Sequence, residues 1–251
     1  MTVDQIDRRA VAARTLPLID LTSLGDDDDE AIVDRLLDQA ITAHGPVAAV
    51  CVWPRFVARA VERLAGTEVG IAAVANFPEG DADPARAVDD AVAIVEAGGT
   101  EVDLVYPWRA LASGNTEVGP SLLVAVRDAI GAEVHLKVIL ETGELGDEDL
   151  IRRAALDAVA AGADFCKTST GKTATSATPE AAAILADVLA DRVLDGRPVG
   201  LKVSGGIRTV EDAARYLELT ERRWGPGRID AGTFRFGASG LLGDVLAALD
   251  G

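Results

Sequence analysis

The feature that most restricts this chain is a rhythm. Short apolar, β-branched runs alternate with longer amphipathic ones along almost its whole length, and eight of the short runs read as strands. They are "LPLIDL" from Leu16, "VAAVCV" from Val47, "VGIAAV" from Val69, "EVDLV" from Glu101, "EVHLKVIL" from Glu133, "DFCKTS" from Asp164, "VGLKVS" from Val199 and "TFRFG" from Thr233. Between them lie stretches of helical spacing, such as "DEAIVDRLLDQAITA", "DPARAVDDAVAIVEAG", "DEDLIRRAALDAVAAG", "TPEAAAILADVLADR" and "TVEDAARYLEL". Several open on an Asp or Thr and close near a Gly, as helix termini should. Eight strands, each followed by a helix, in 251 residues predict a single-domain α/β fold over residues 1–251, a TIM (β/α)8 barrel. The alternative is a doubly wound open sheet, which usually needs fewer strands; no GxGxxG turn follows the first one here. Residues 1–14 have helical spacing and are expected to form a short N-terminal helix that plugs the barrel floor.

Composition narrows the partners. At 49% hydrophobic, the chain can bury a sizeable core. No apolar run approaches the ~18 residues of a membrane span. The N-terminus lacks an apolar signal region, and Cys51 and Cys166 are the only cysteines, so a reducing cytoplasm is the expected setting. A formal net charge of −17 with no basic stripe argues against nucleic acid. That acidity also means an anionic substrate needs a local positive site.

Lysine usage is the sharpest signal. Of 24 basic residues only Lys137, Lys167, Lys172 and Lys202 are lysines, and lysine, unlike arginine, can lose its proton and form an imine. Lys137, Lys167 and Lys202 fall late in the fifth, sixth and seventh predicted strands, which neighbour one another in a barrel. Asp20 is expected to end the first strand and Asp103 lies in the fourth, so these charges converge on the C-terminal mouth, where barrel active sites sit. A buried ion-pair network explains any one of them; a reaction centre explains the set better.

The chemistry open to such a set is imine formation. A free lysine, with a pKa of about 10.4, is almost wholly protonated near neutrality. Lowering it to about 7 requires roughly 4 to 5 kcal/mol. A second ammonium about 6 Å away supplies about 2.8 kcal/mol at an effective dielectric of about 20, and desolvation must supply the rest. Asp103 is placed to move protons. His44 reads as a surface or capping residue and His135 as a packed one, lower on the face of Lys137. No metal motif is present, and no cofactor is expected. "GDDDDE" at 25–30 lacks the spacing of a calcium loop and reads as the start of a helix.

Three glycine-rich turns suggest a phosphate site. "TGKT" at 170–173 fails as a P-loop because Cys166 stands where a Gly is required, yet Gly171 and Lys172 still follow a strand. "SGGIRT" at 204–209 offers Gly205, Gly206, Arg208 and then a helix N-terminus. "FGASG" at 236–240 offers Gly237 and Ser239 before another helix.

Taken together, "LIDLT", "AAVCVWPRF", "ANFPEG", "EVDLVYPWRAL", "LKVILETGEL", "GADFCKTSTGK", "KVSGGIRT" and "RFGASG" resemble the successive signature stretches of the deoxyribose-phosphate aldolases, from about residue 16 to the last helix. The resemblance implies a class I aldolase that reversibly cleaves 2-deoxy-D-ribose 5-phosphate to acetaldehyde and D-glyceraldehyde 3-phosphate in deoxynucleoside breakdown, acting as a monomer or homodimer. It implies Lys167 as the imine-forming nucleophile, Lys202 as the lysine that lowers its pKa, and Asp103 as the proton-relay acid/base. It further implies Asp20, Thr22, Lys137 and Thr170 as ordering groups and Cys51 as a bystander near the substrate. Gly171, Lys172, Gly205, Gly206, Arg208, Gly237 and Ser239 match phosphate-binding positions. Two departures stand out: Gly240 replaces a serine of some members, and the chain stops at "AALDG" without the tyrosine-ended tail that some carry. An imine-forming lyase of the same design acting on another aldehyde or sugar phosphate, and a barrel that only binds a phosphorylated ligand, are the competing readings.

Overall fold

The computed structural model describes residues 7–194 and 196–251. Eight parallel strands follow one another around a closed barrel: β1 (Ile19–Thr22), β2 (Ala49–Val52), β3 (Gly70–Ala75), β4 (Glu101–Val105), β5 (His135–Ile139), β6 (Phe165–Lys167), β7 (Gly200–Ser204) and β8 (Phe234–Ala238). Ile19 of β1 pairs with Phe236 of β8, which closes the sheet and excludes the open-sheet alternative. Each strand lies within or one residue beyond its predicted run. The first is cut short because Pro17 sets a 3-10 turn over Leu16–Leu18.

The surrounding helices are α1 (Arg8–Thr15), α2 (Glu30–Gln39), α3 (Val57–Arg63), α4 (Pro84–Glu96), α5 (Trp108–Ala112), α6 (Val118–Ile130), α7 (Thr142–Leu145), α8 (Glu148–Ala160), α9 (Pro179–Leu189), α10 (Val210–Trp224) and α11 (Leu241–Asp250). The side chains of Asp29, Asp83, Asp147, Thr178 and Thr209 each accept the amide of the residue three further on. Each such cap is worth about 1 kcal/mol and fixes where a helix begins. Helix α2 is shorter than its periodic run because Ile41–Thr42 pairs antiparallel with Gly45–Pro46, which puts His44 in a hairpin turn against Asp250. Of the expected N-terminal helix, residues 1–6 lie outside the described residues; α1 packs not across the barrel floor but on α10 and α11 in the outer layer, where Arg8 pairs with Glu211 and Asp244, and Arg14 with Glu221.

Side chains alternate across the barrel wall. Outward residues such as Leu21, Val50, Val102, Val138, Leu201 and Phe236 form the apolar layer under the helices and are all buried. The inward face departs from the usual filling of branched aliphatics. It holds Asp20, Glu101, Asp103, Lys137, Lys167, Lys202 and Arg235, each at most 5% exposed. Glycines make room for the long side chains. A Cβ at Gly237 would sit 3.0 Å from Lys202 Cε, and one at Gly200 would strike the Phe165 ring at 2.3 Å.

Candidate active site

Register brings the lysines together. Lys202 on β7 lies directly beside Lys167 on β6, and Lys137 on β5 directly beside Asp103 on β4. Asp20, Lys137 and Lys202 all lie inside their strands, one layer deeper than expected from the sequence; Thr22 and Ser204 end those of Asp20 and Lys202. Asp103 is the hub. Its Oδ2 accepts from Lys167 Nζ and from Lys202 Nζ, both at 2.7 Å, so the two amines are immediate neighbours. Its Oδ1 accepts from Lys137 Nζ at 2.9 Å.

The three amines differ in how many carboxylates hold them. Lys137 pairs with Asp103, Glu101 and Asp20. Lys202 pairs with Asp103 and, at 2.6 Å, with Asp20. Among the described residues, Lys167 pairs with Asp103 alone, through an oxygen that it shares. A buried ammonium persists only where carboxylates compensate its lost hydration, and the proton affinities follow that order. Lys137 is held well above the ordinary lysine value, because its three carboxylates overcome burial. Lys202 is raised as well, by Asp103 and Asp20 against burial. Lys167 is lowered. Burial is the leading cause, Asp103 opposes it, and Lys202 adds to the lowering. The neighbouring cation expected to dominate is therefore secondary to desolvation. Asp103 itself is held well below the carboxylate range by Lys137, Lys167 and Lys202, despite its burial.

Above this cluster lies a cavity of about 340 Å³. Thr22, Ser204 and Gly237 line it, each two residues beyond Asp20, Lys202 and Arg235 on the same strand face. Two residues of strand rise place the cavity floor roughly 7 Å above the charged layer. Its rim includes Thr170, Gly171, Lys172, Gly205, Gly206, Arg208, Ser239 and Gly240. Gly205 and Gly206 have φ of +89° and +81°, a left-handed backbone that favours glycine. The two helix N-termini near the rim are not alike. Helix α10 satisfies its own amides through a Thr209–Asp212 capping box, and Asp212 also takes the Arg208 amide. Helix α11 follows Gly240, which gives it no side-chain cap, so its first amides are the open ones and suit an anion.

A family model described as DeoC/LacD family aldolase matches residues 15–238. The chain belongs to that aldolase family. Among solved structures it is similar to a putative deoxyribose-phosphate aldolase from Coccidioides immitis, with 32% identity over 94% of this chain and 85% of that one, and a TM-score of 0.80. A putative deoxyribose-phosphate aldolase from Toxoplasma gondii ME49, in its apo form, matches at 27% identity over 98% and 99% of the two chains, with a TM-score of 0.87. The tetrameric deoxyribose phosphate aldolase from Aeropyrum pernix matches at 25% identity over 97% and 92%, with a TM-score of 0.76.

In this aldolase the residues singled out in the sequence fall into two groups. Asp20, Asp103, Lys137, Lys167 and Lys202 meet in the barrel; Thr22, Thr170, Gly171, Lys172, Gly205, Gly206, Arg208, Gly237 and Ser239 line the cavity. Cys51 borders the first group, its Sγ 3.9 Å from Asp103 Oδ2. Burial, and then Asp103, push its thiol up to about 11, so it stays protonated at neutrality. Two rim groups are already engaged. Ser239 donates to the Thr22 carbonyl at 2.7 Å, and Lys172 pairs at 2.8 Å with Asp26, which lies in the acidic run expected to start a helix; α2 begins only at Glu30. No helix among the described residues is long and apolar enough to cross a membrane. No group of three or more His, Cys, Asp or Glu side chains among them is disposed to hold a metal ion.

Three further residues of the site are not singled out by the sequence motifs. Glu101 and Arg235 extend the network downward, Arg235 reaching Asp20 at 2.6 Å and Glu101 at 3.4 Å. Their strand parity with Asp103 and Gly237 was the available signal. Glu141, buried with φ +53°, accepts the Thr170 amide and hydroxyl and so holds the turn that carries Lys172. Nothing in its sequence neighbourhood marks that role. His135 is only half-buried and faces Glu101 at the opposite mouth, where it lines a separate cavity of about 230 Å³.

Proposed function

We propose that this aldolase cleaves 2-deoxy-D-ribose 5-phosphate reversibly to acetaldehyde and D-glyceraldehyde 3-phosphate through an imine on Lys167, in deoxyribose phosphate breakdown. The observation that carries the reading is the unequal compensation of neighbouring amines: Lys167 shares one carboxylate oxygen with Lys202, while Lys202 has a second carboxylate of its own. Lys167 is then the neutral nucleophile, and Lys202 keeps its proton as the adjacent acid. Lys167 Nζ attacks C1 of the open-chain sugar, and water leaves to give an iminium. Loss of the C3 hydroxyl proton breaks the C2–C3 bond, and the electron pair passes to the iminium as an enamine. Glyceraldehyde 3-phosphate departs. Protonation at C2 and hydrolysis release acetaldehyde and the free amine. Asp103, bonded to all three amines, relays protons among them.

The rim supports a phosphorylated substrate. Lys172, Arg208, the glycine turns and the open N-terminus of α11 supply the local positive site that a chain of net charge −17 needs for an anion. The step of roughly 7 Å between cavity floor and charged layer suits an extended chain of about five carbons. Asp20, Thr22, Lys137 and Thr170 order the groups around that path. The similarity to structures bearing the deoxyribose-phosphate aldolase name points to the same substrate. The test is turnover of 2-deoxy-D-ribose 5-phosphate beside unphosphorylated deoxyribose and other sugar phosphates. Acetaldehyde release fastest from the first is expected. A clear preference for a different sugar phosphate would assign the site to that substrate instead.

A further inference from the structure

The charges inside the barrel do not balance. Four bases, Lys137, Lys167, Lys202 and Arg235, meet three acids, Asp20, Glu101 and Asp103, and all seven are buried. An uncompensated charge in such a place is costly, so the set is neutral only when one base has given up its proton. Arginine cannot be that base. Contacts decide among the lysines, since Lys167 is the least compensated. Two of the seven lie outside the catalytic contacts. Arg235 Nη1 takes Asp20 Oδ1 at 2.6 Å, leaving Asp20 Oδ2 to Lys202 and Lys137. Glu101 Oε2 pairs with Lys137, and its Oε1 faces Arg235 and the His135 imidazole, each at 3.4 Å.

We propose that Glu101 and Arg235 are positioning residues that set the proton count of the amine cluster, Arg235 as the permanent cation that obliges one lysine to be neutral and Glu101 as the acid that keeps this from being two. The inference rests on Lys167 being the imine-forming residue. Asp103, Lys202 and Cys51 neighbour its amine directly, and behind them the inward faces of the strands carry Asp20 on β1, Glu101 on β4, His135 and Lys137 on β5 and Arg235 on β8. Removing one cation from this set raises the proton affinity of Lys167; removing one anion lowers it. Neither Glu101 nor Arg235 lines the substrate cavity. Their effect is therefore on protonation rather than on substrate contact.

The experiment is borohydride trapping of the acetaldehyde imine on Lys167, followed across pH. The variants Arg235→Met, Glu101→Gln and the double variant are each made in a His135→Asn background, which removes the imidazole from the count, and are compared with that background. Arg235→Met is expected to move the trapping midpoint up by about one pH unit and Glu101→Gln down by a similar amount, the size of effect that one charge a few ångströms beyond the first neighbours has at an effective dielectric of about 20. The double variant restores the balance and returns the midpoint to that of the background. Should Arg235→Met fail to fold, the downward shift in Glu101→Gln decides alone. Unmoved midpoints, or shifts of the same sign in both single variants, would overturn the proposal. Absence of a Lys167 adduct in the unaltered chain at every pH would instead overturn the imine reading on which it rests.

Discussion

The floor and the rim of the site are built from opposite materials. The floor of the site, the charged layer beneath the cavity, is side-chain charge, held by strand register and closed to water: Lys137 and Lys202 are 0% exposed and Lys167 is 2% exposed. The rim is largely backbone. Glycine turns and the uncapped start of α11 surround the cavity, and its lysine sits on the surface against an exposed Asp26. On the proposed function, the contrast explains how one chain would change a proton affinity and still take up and release an anion. Changing a lysine pKa requires desolvation and fixed partners, which only the barrel interior supplies. Holding a phosphate that must leave again is better done by amides and mobile charges in contact with water. Alterations to the floor should therefore act on the rate of chemistry, and alterations to the rim on substrate affinity.

The largest effect is expected at the proposed nucleophile. Lys167→Leu should lower cleavage by about four orders of magnitude or more in a steady-state assay of acetaldehyde release. A rate near that of the unaltered chain would detach the chemistry from the floor altogether. Asp103→Asn leaves the shape but removes the shared carboxylate, and kcat should fall by about 10² to 10⁴ with a smaller change in KM. Equal loss in both parameters for unphosphorylated and phosphorylated substrates would blur the division. At the rim, Lys172→Ala should raise KM for 2-deoxy-D-ribose 5-phosphate by about tenfold to a hundredfold. Unphosphorylated deoxyribose should be almost unaffected, and an equal loss with it would place Lys172 in the chemistry.

The smallest effect sharpens the comparison most. Asp26 occupies the lysine expected to meet the phosphate, and the contact is solvent-exposed. Asp26→Asn should therefore lower KM for the phosphorylated sugar by about two- to fivefold and leave kcat unchanged, because an exposed pair is weak. A rise in KM would mean that Asp26 aims Lys172 at the substrate rather than competing with it.

The fold is highly legible in the sequence, for physical reasons visible in particular residues. Helix starts at Asp29, Asp83, Asp147, Thr178 and Thr209 are local chemistry, a side-chain oxygen meeting an amide three residues on, and the letters alone carry it. The lysines and Asp103 were visible because strand parity and barrel topology place them at one mouth. Glu101 shares the face of Asp103 two positions away and was legible by the same rule, as was Arg235 beside Gly237. What the sequence withholds is long-range or conformational. The pairing of Lys172 with Asp26 joins loops 146 positions apart. Glu141 reaches Thr170 only because its backbone turns left-handed. The seat of α1 against the outer helices depends on which apolar stripe remains uncovered once the barrel has closed. The order of proton affinities also needed contacts, because spacing shows that lysines are near one another but not how many carboxylates each one keeps.

The most direct test of the account is to locate the trapped imine and its titration together. The chain is reduced with borohydride in the presence of acetaldehyde over a range of pH, and the modified peptide is mapped by mass spectrometry. In the proposed mechanism neutral Lys167 is the reactive form, and its proton affinity lies below the ordinary lysine value of 10.5, so trapping should rise with pH and reach half its maximum below that value, with the adduct on Lys167. An adduct on Lys202, or a midpoint at or above 10.5, would contradict it.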